Sequence, residues 1–208
     1  MVARGDGVLP MTDDVRLQPL ERDEHPELEP LFAEFDALSG FIPNATLIMA
    51  RRPDLVRARL AMSKATIVDV SLDRALGDLV FTMASLVSGC RYCEAHGKSN
   101  LARRGASDDK IRSLWEFETS TLFTDAERVA LRFARDSAAT PNAVTDQHFA
   151  ELRQYFSEEE IVDLTARSCA AAWINRWNDT MATQLEDDIL AAVRKAEPDW
   201  DPGKHKLG

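Results

Sequence analysis

The chain has 208 residues, 45% of them apolar, and a formal net charge of −10. That length allows one sizeable core and argues against two well-separated enzymatic domains. The acidic balance leaves no basic footprint for phosphate, so no nucleic-acid partner is expected, and small neutral or apolar substrates fit better.

No apolar run reaches the roughly eighteen residues of a membrane span. The opening "MVARGDGVLPMTDD" also lacks the apolar centre of a signal peptide. Neither membrane insertion nor export is predicted, and the expected location is cytoplasmic. Residues 1–15 and 198–208 are polar and are expected to be loosely held tails flanking a domain over 16–197.

Apolar residues recur at three- and four-residue spacing nearly throughout, and strict alternation is hard to find in any window, which predicts an all-α fold. Residues 27–38 read as a short amphipathic helix stopped by Gly40, and "GFIPN" follows as a loop in which Pro43 biases Ile42 towards an extended conformation. A helical stretch is expected over about 54–68. Ser71 is a candidate N-cap for the next helix, whose Leu72, Leu76, Leu79, Val80, Met83, Leu86 and Val87 form a wide apolar stripe ending at Gly89. A new helix then opens at Cys90, runs to about Arg104 and ends at Gly105. Thr124 with Glu127, and Ser157 with Glu160, are capping-box pairs that mark two further helix starts. The last long helical region, about 158–196, is expected to break near Ile174.

Sliding residues 78–96 forward by 85 positions sets "DLVFTMASLVSGCRYCEAH" over "DLTARSCAAAWINRWNDTM". Asp78 then falls on Asp163, and the two cysteines fall on Asn175 and Asn178. This suggests a duplicated helix pair, with repeats over about 73–103 and 158–188, in which one copy carries chemistry.

The chemistry concentrates in "SLVSGCRYCEAHGKSN". In a reducing compartment, two close cysteines point to catalysis or metal binding rather than to a structural disulfide. Cys90 and Cys93 stand three apart, so they share a helix face, and a helix start favours thiolate over thiol. His96 lies three positions further along that face, within reach of the Cys93 proton. Asp78, on the preceding helix, is the nearest upstream carboxylate and is the candidate for orienting the imidazole. Zinc held by Cys90, Cys93, His96 and Asp78 is the competing arrangement, although structural zinc sites usually close with a second knuckle and none is visible here. Incidental clustering is the third. No resident metal or cofactor is expected. Cys169, within "ARSCAAAW", reads as a buried small residue, and the tryptophans at 115, 173 and 177 read as core. Asn175, Arg176 and Asn178 are expected to hydrogen-bond at a junction, His148 and His205 to face solvent, and the acidic residues at 158–160 and 186–188 to be helix-end charges.

From Gly40 to Asp188 the chain resembles the carboxymuconolactone decarboxylase / alkylhydroperoxidase D (AhpD-like) superfamily, in particular its peroxidase-related branch. The likeness rests on "GFIPN", "RRPDL", "GDLVF", "SGCRYCEAH", "WEFETS", "TDAERVALRFA", "PNAVTDQHFAEL" and "NRWNDTMAT". It implies an all-helical fold with a duplicated core, homo-oligomers (trimers or hexamers), and reduction of organic hydroperoxides or hydrogen peroxide by the two cysteines. It also implies that Cys93 is oxidised to sulfenic acid, that Cys90 donates a proton and resolves, and that Asp78 and His96 relay protons. An external dithiol of thioredoxin or lipoyl type would regenerate the pair. Two positions depart from the family pattern: aspartate stands at 78 where glutamate is usual, and His96 follows Cys93 by three residues where alkylhydroperoxidase D has four. The decarboxylase branch does not depend on a cysteine pair, which argues against lactone decarboxylation. The competing class is a redox sensor or binding protein that uses the same dithiol without turnover. A specialised metabolic reaction within the superfamily is the other alternative.

Overall fold

Helix α4 (Arg74–Ser88) is the element against which the chain assembles, packing on α5 (Arg91–Arg103), α7 (Asp125–Ala138) and α9 (Glu158–Met181). The computed structural model describes residues 16–206, and among them every regular element is helical. The predicted apolar stripe explains the position of α4: Leu76, Leu79, Val80 and Met83 are buried and join the largest core cluster. The helix starts two residues later than the Ser71 cap would place it, because the Asp73 carboxylate accepts from the Leu76 N–H at 3.0 Å. Its end is as expected: Gly89 takes the left-handed conformation at φ 67° and turns the chain into α5.

Upstream, α1 (Glu29–Ser39), α2 (Asn44–Met49) and α3 (Pro53–Ser63) enclose a second cluster around Phe32, Phe35, Met49 and Leu60. Gly40 closes α1 at φ 83°. The helical stretch expected to 68 changes to π geometry over Lys64–Val68. Downstream lie α6 (Asp108–Arg112), α8 (Asp146–Leu152) and α10 (Asp187–Ala196). Both predicted capping boxes form, with Thr124 and Glu127 opening α7 and Ser157 and Glu160 opening α9.

Two expectations are corrected. α9 is one unbroken helix of 24 residues with no break at Ile174, so it does not reproduce the α4–turn–α5 pair and the proposed repeat is not a duplicated hairpin. Asp163 differs from Asp78 as well, since it accepts from the backbone N–H groups of Ser71 and Leu72 at 2.8 and 3.2 Å. Matching amphipathic periodicity produced the alignment. The second correction concerns 198–206, which is not a loose tail. Trp200 is 6% exposed and His205 1% exposed, and the Leu185 N–H donates to the His205 carbonyl at 3.0 Å. Residues 1–15 lie outside the described residues. No described helix is long and apolar enough to cross a membrane.

The close approach of α4 and α5 depends on Gly97. A Cβ there would lie 3.0 Å from the Thr82 Cβ and 3.2 Å from its Cα, inside ordinary contact distance. Gly97→Ala should therefore destabilise the fold by about 1–3 kcal/mol, as overpacking does in a well-filled core. A denaturant titration checks this, and unchanged stability would show that the two helices can separate freely.

Candidate active site

Cys90 is the N-cap of α5, with extended backbone (φ −84°, ψ 97°), and Cys93 follows one turn later. Both are free thiols, 0% and 2% exposed. Although the side chains are adjacent, their ionisation is driven apart. Hydrogen bonding from the Cys93 thiol lowers the Cys90 pKa; burial opposes this, and His205 and the Cys93 backbone N–H lower it further, to about 6. Burial raises Cys93 well above the ordinary thiol value, and the neighbouring Cys90 raises it further. The Asn178 amide, which donates to Cys93 Sγ at 3.2 Å, and the Arg59 charge pull in the opposite direction without overcoming burial. Asn178 is held in turn by the Thr183 hydroxyl, which donates to its Oδ1 at 2.9 Å.

Cys93 borders a cavity of about 130 Å³. The walls include Phe81, Tyr92, Trp173 and Ile174, with His96, Asn178 and the guanidinium groups of Arg59 and Arg167 as polar elements. Cys90 does not line this cavity. One sulfur is thus presented to a small molecule while the other sits behind it. Arg59 donates to the Thr46 hydroxyl, and among the described residues it is paired with no carboxylate.

His96 also lines the cavity, but its carboxylate partner is not the one expected. His96 Nε2 lies 2.8 Å from Glu186 Oε2. The other Glu186 oxygen accepts from the Tyr92 hydroxyl and from the Asn44 N–H, both at 2.7 Å. Burial pushes the Glu186 pKa upward, but His96 and these donors outweigh it and hold it below the ordinary value of 4.5. The sequence marks Glu186 as a helix-end charge, and it does stand as the N-cap residue of α10. Nothing local in the sequence marks its contact with a histidine 90 residues away.

Asp78 does not meet His96. Its carboxylate is held by Arg104 and, at 3.3 Å, by Arg167, which also donates to the Gly77 carbonyl at 3.2 Å. Asp78 is 3% exposed, so this cluster is a buried brace between α4, α5 and α9. Shortening glutamate to aspartate therefore bears on the brace and not on the imidazole.

Other residues also depart from expectation. Cys169 is exposed, on the outer side of α9. Trp115 is 59% exposed and Trp173 borders the cavity, whereas Trp177 packs on the core cluster beside α1–α3 as expected. His148 is mostly covered and pairs with Asp136 at 2.8 Å. His205 is buried beside the dithiol. Asn175 and Asn178 behave as expected: Asn175 accepts from the Ser85 hydroxyl at 3.0 Å, and Asn178 serves Cys93. No three His, Cys, Asp or Glu side chains among the described residues gather as a metal-binding group, because Asp78 is drawn away by its arginines.

Fold and site together define an all-α protein with a paired dithiol at a helix start. The carboxymuconolactone decarboxylase family model matches residues 53–136, from the start of α3 to the last turns of α7. The chain is also similar over nearly its whole described length to the crystal structure of the debrominase Bmp8. Identity is 31%, the TM-score is 0.80, and the match covers 89% of this chain and all of that one. Bmp8 is also known as a cysteine-to-alanine variant in complex with 2,3,4-tribromopyrrole. An uncharacterized peroxidase-related protein from Ralstonia eutropha JMP134 shares the fold at TM-score 0.74 and 21% identity, covering 86% of this chain and 96% of that one. The uncharacterized protein YnjA of Escherichia coli is 30% identical over 95 residues, which are 46% of this chain and about half (52%) of YnjA. The chain belongs to the carboxymuconolactone decarboxylase family.

The Glu186 contacts predict a pH dependence of stability. A carboxylate with a lowered folded pKa contributes stability that is present above its ordinary value and lost as pH falls through the folded value. Glu186→Gln should therefore cost about 1–3 kcal/mol near neutral pH, the cost of disrupting a buried hydrogen-bonded group. The difference from wild type should shrink below pH 4.5 as the native carboxylate protonates. Urea denaturation across that range checks the sign, and a gap that widens on acidification would contradict the assignment.

Proposed function

We propose that the chain is a dithiol-dependent reductase acting as a thiol peroxidase on organic hydroperoxides or hydrogen peroxide. The observation that carries this reading is the division of labour between the sulfurs, with Cys93 at the cavity beside His96 and Cys90 buried behind it as the favoured thiolate. The Cys93 thiolate attacks the distal oxygen of the hydroperoxide and the O–O bond breaks. The Cys93 thiol proton reaches the departing alkoxide through His96, leaving Cys93 sulfenic acid and alcohol. The Cys90 thiolate attacks Cys93 Sγ, forming the disulfide and expelling hydroxide, which is protonated to water. An external dithiol of thioredoxin or lipoyl type then reduces the disulfide. Glu186 orients His96 in this scheme, and Arg59 with Asn178 stabilises charge on Cys93 as its proton leaves.

A second substrate class is favoured by the likeness to a debrominase at 31% identity and by the aromatic cavity walls. In reductive dehalogenation the Cys93 thiolate takes the halogen from a halogenated aromatic ring, and the ring carbon gains a proton. Cys90 then attacks Cys93 Sγ, forming the same disulfide and releasing halide. Both reactions consume two thiols per turnover and need the same regeneration.

A panel of hydroperoxides and halogenated pyrroles or phenols, supplied with excess dithiol, separates the two. Repeated consumption of hydroperoxide supports the peroxidase, repeated halide release supports the dehalogenase, and a single equivalent of either leaves only a redox sensor. In the peroxidase, Cys93→Ser should abolish turnover. Cys90→Ser should allow a trapped sulfenic acid at Cys93 without turnover; preferential trapping at Cys90 in wild type would reverse the roles.

The carboxylates provide a further check. Glu186→Gln should lower the reduction rate by roughly 10²- to 10⁴-fold, as loss of a positioned proton-transfer system does. Asp78→Asn should act mainly on stability, leaving a rate within a few-fold of wild type. The opposite ordering of rates would return the relay to Asp78.

A further inference from the structure

A second cavity, of about 350 Å³, adjoins the one at Cys93 and has a different lining. Five arginines reach it from four helices: Arg59 from α3, Arg74 from the start of α4, Arg103 and Arg104 from the C-terminal end of α5, and Arg167 from α9. Asp78 is the one carboxylate among the described residues that line it. This excess of positive charge runs against the net charge of −10 on the whole chain, so composition does not account for it.

Two of the five have a structural task, since Arg104 and Arg167 both hold Asp78. The other three pair with no carboxylate among the described residues. Arg59 donates to the Thr46 hydroxyl and lies 5.0 Å over the Phe35 ring, and Arg103 donates to the Ser39 carbonyl at 3.0 Å and to Asn100 Oδ1 at 2.6 Å. The Arg74 side chain, which is exposed, forms no hydrogen bond within the described part of the chain. Like charges gathered in a recess repel one another, and its low-dielectric walls focus their field on any anion that enters. Guanidinium is also the group whose planar fork matches a carboxylate or a phosphate.

The two cavities share Ser39, Arg59, Asn100 and Arg167. Along α5, Cys93, His96, Asn100 and Arg103 follow at three- and four-residue spacing, so one helix face leads from the sulfur to the arginines. At 1.5 Å of rise per residue, the backbone of Arg103 lies about 15 Å along the helix from that of Cys93.

We propose that the arginine cavity is the anion-binding subsite of the active site, holding the carboxylate or phosphate group of a substrate whose reducible end lies at Cys93. The inference rests on the reductase reading above and narrows its substrates to hydroperoxides or halogenated rings carried on a short chain that ends in an acid group. Arg74 and Arg103 receive the acid group, and Arg59, bordering both cavities, stands where the chain passes from one to the other.

Binding alone tests the subsite, with ligands that carry nothing to reduce. Titration calorimetry at low salt compares 4-phenylbutyrate and 4-phenylbutyl phosphate with the neutral 4-phenylbutanol. At least one anion should bind roughly tenfold or more tightly than the alcohol, the scale of one charge-assisted hydrogen bond, and the tighter of the two identifies the acid group. Its affinity should fall as salt is raised. The bound anion should also slow alkylation of Cys93 by iodoacetamide, followed by peptide mass spectrometry, because its aromatic end occupies the cavity there. Arg74→Gln combined with Arg103→Gln should remove the preference for the anion. Arg57→Gln, which deletes an equal charge from an exposed pair with Asp54, should leave that preference intact. Arg74→Gln alone, which breaks no contact within the described residues, should weaken the anion severalfold even if loss of the Arg103 contacts disturbs the fold. Absence of an anion preference, a preference that survives these substitutions, or anion binding that leaves Cys93 alkylation unaltered overturns the proposal. Failure to reduce any hydroperoxide or halogenated compound would refute the reductase reading and leave the anion site standing, whereas turnover of neutral substrates by a protein with no anion preference would do the reverse.

Discussion

Two sulfurs buried side by side cannot both be anionic, and which of them carries the charge governs the rest of the site. Removing a thiolate from water is expensive, so the charge settles where donors are preorganised to meet it. Cys90 has the start of α5, the Cys93 thiol and His205, whereas Cys93 has the Asn178 amide and the more remote charge of Arg59. The favoured anion therefore sits away from the cavity and the protonated thiol faces it. On the proposed cycle, substrate arrival moves a proton off Cys93, after which the pre-existing anion behind it resolves the product.

Burying this pair requires the surrounding helices to close tightly, and other buried charges hold them in place. Asp78 ties α4 to Arg104 just past the end of α5 and to Arg167 on α9. Glu94 is matched by Lys98, Arg91 and the Trp200 indole, joining α5 to the segment after α10. Glu186 gathers His96, Tyr92 and the N–H of Asn44, joining α5, α10 and the start of α2. Each carboxylate has several donors, the condition under which buried charge is tolerated. The braces position the cysteines, and two of them also contribute cavity-lining side chains, Arg167 and His96.

Much of the helical layout was legible because it is local. The stripe on α4, the left-handed Gly89 and the two capping boxes depend on residues within a few positions of one another, where helical geometry is decisive. The three chemical residues of α5 were legible for the same reason, lying on one helix face within seven positions. Their partners were not. Glu186 reaches His96 across 90 residues, Asn178 reaches Cys93 across 85, and His205 is hidden in a stretch whose polar composition resembles a tail. Asp78 shows the converse. Proximity in sequence made it the natural partner of His96, yet two arginines hold it, one of them 89 residues away. The 85-residue self-similarity failed because amphipathic helices resemble one another whether or not they bend, and nothing in that pattern shows that α9 runs straight through Ile174.

The central claim is that Cys90 is the low-pKa sulfur of the pair and Cys93 the high one, and titration of thiolate ultraviolet absorbance in the reduced protein tests it most directly. The account predicts one thiolate appearing with a midpoint near 6, absent from Cys90→Ser and retained in Cys93→Ser, whose hydroxyl can still donate to Cys90. The second thiolate should appear only well above pH 9.0. A low-pH thiolate that survives Cys90→Ser and disappears in Cys93→Ser would contradict the account, because the anion would then already lie at the cavity and Cys90 would have no charge to hold in reserve.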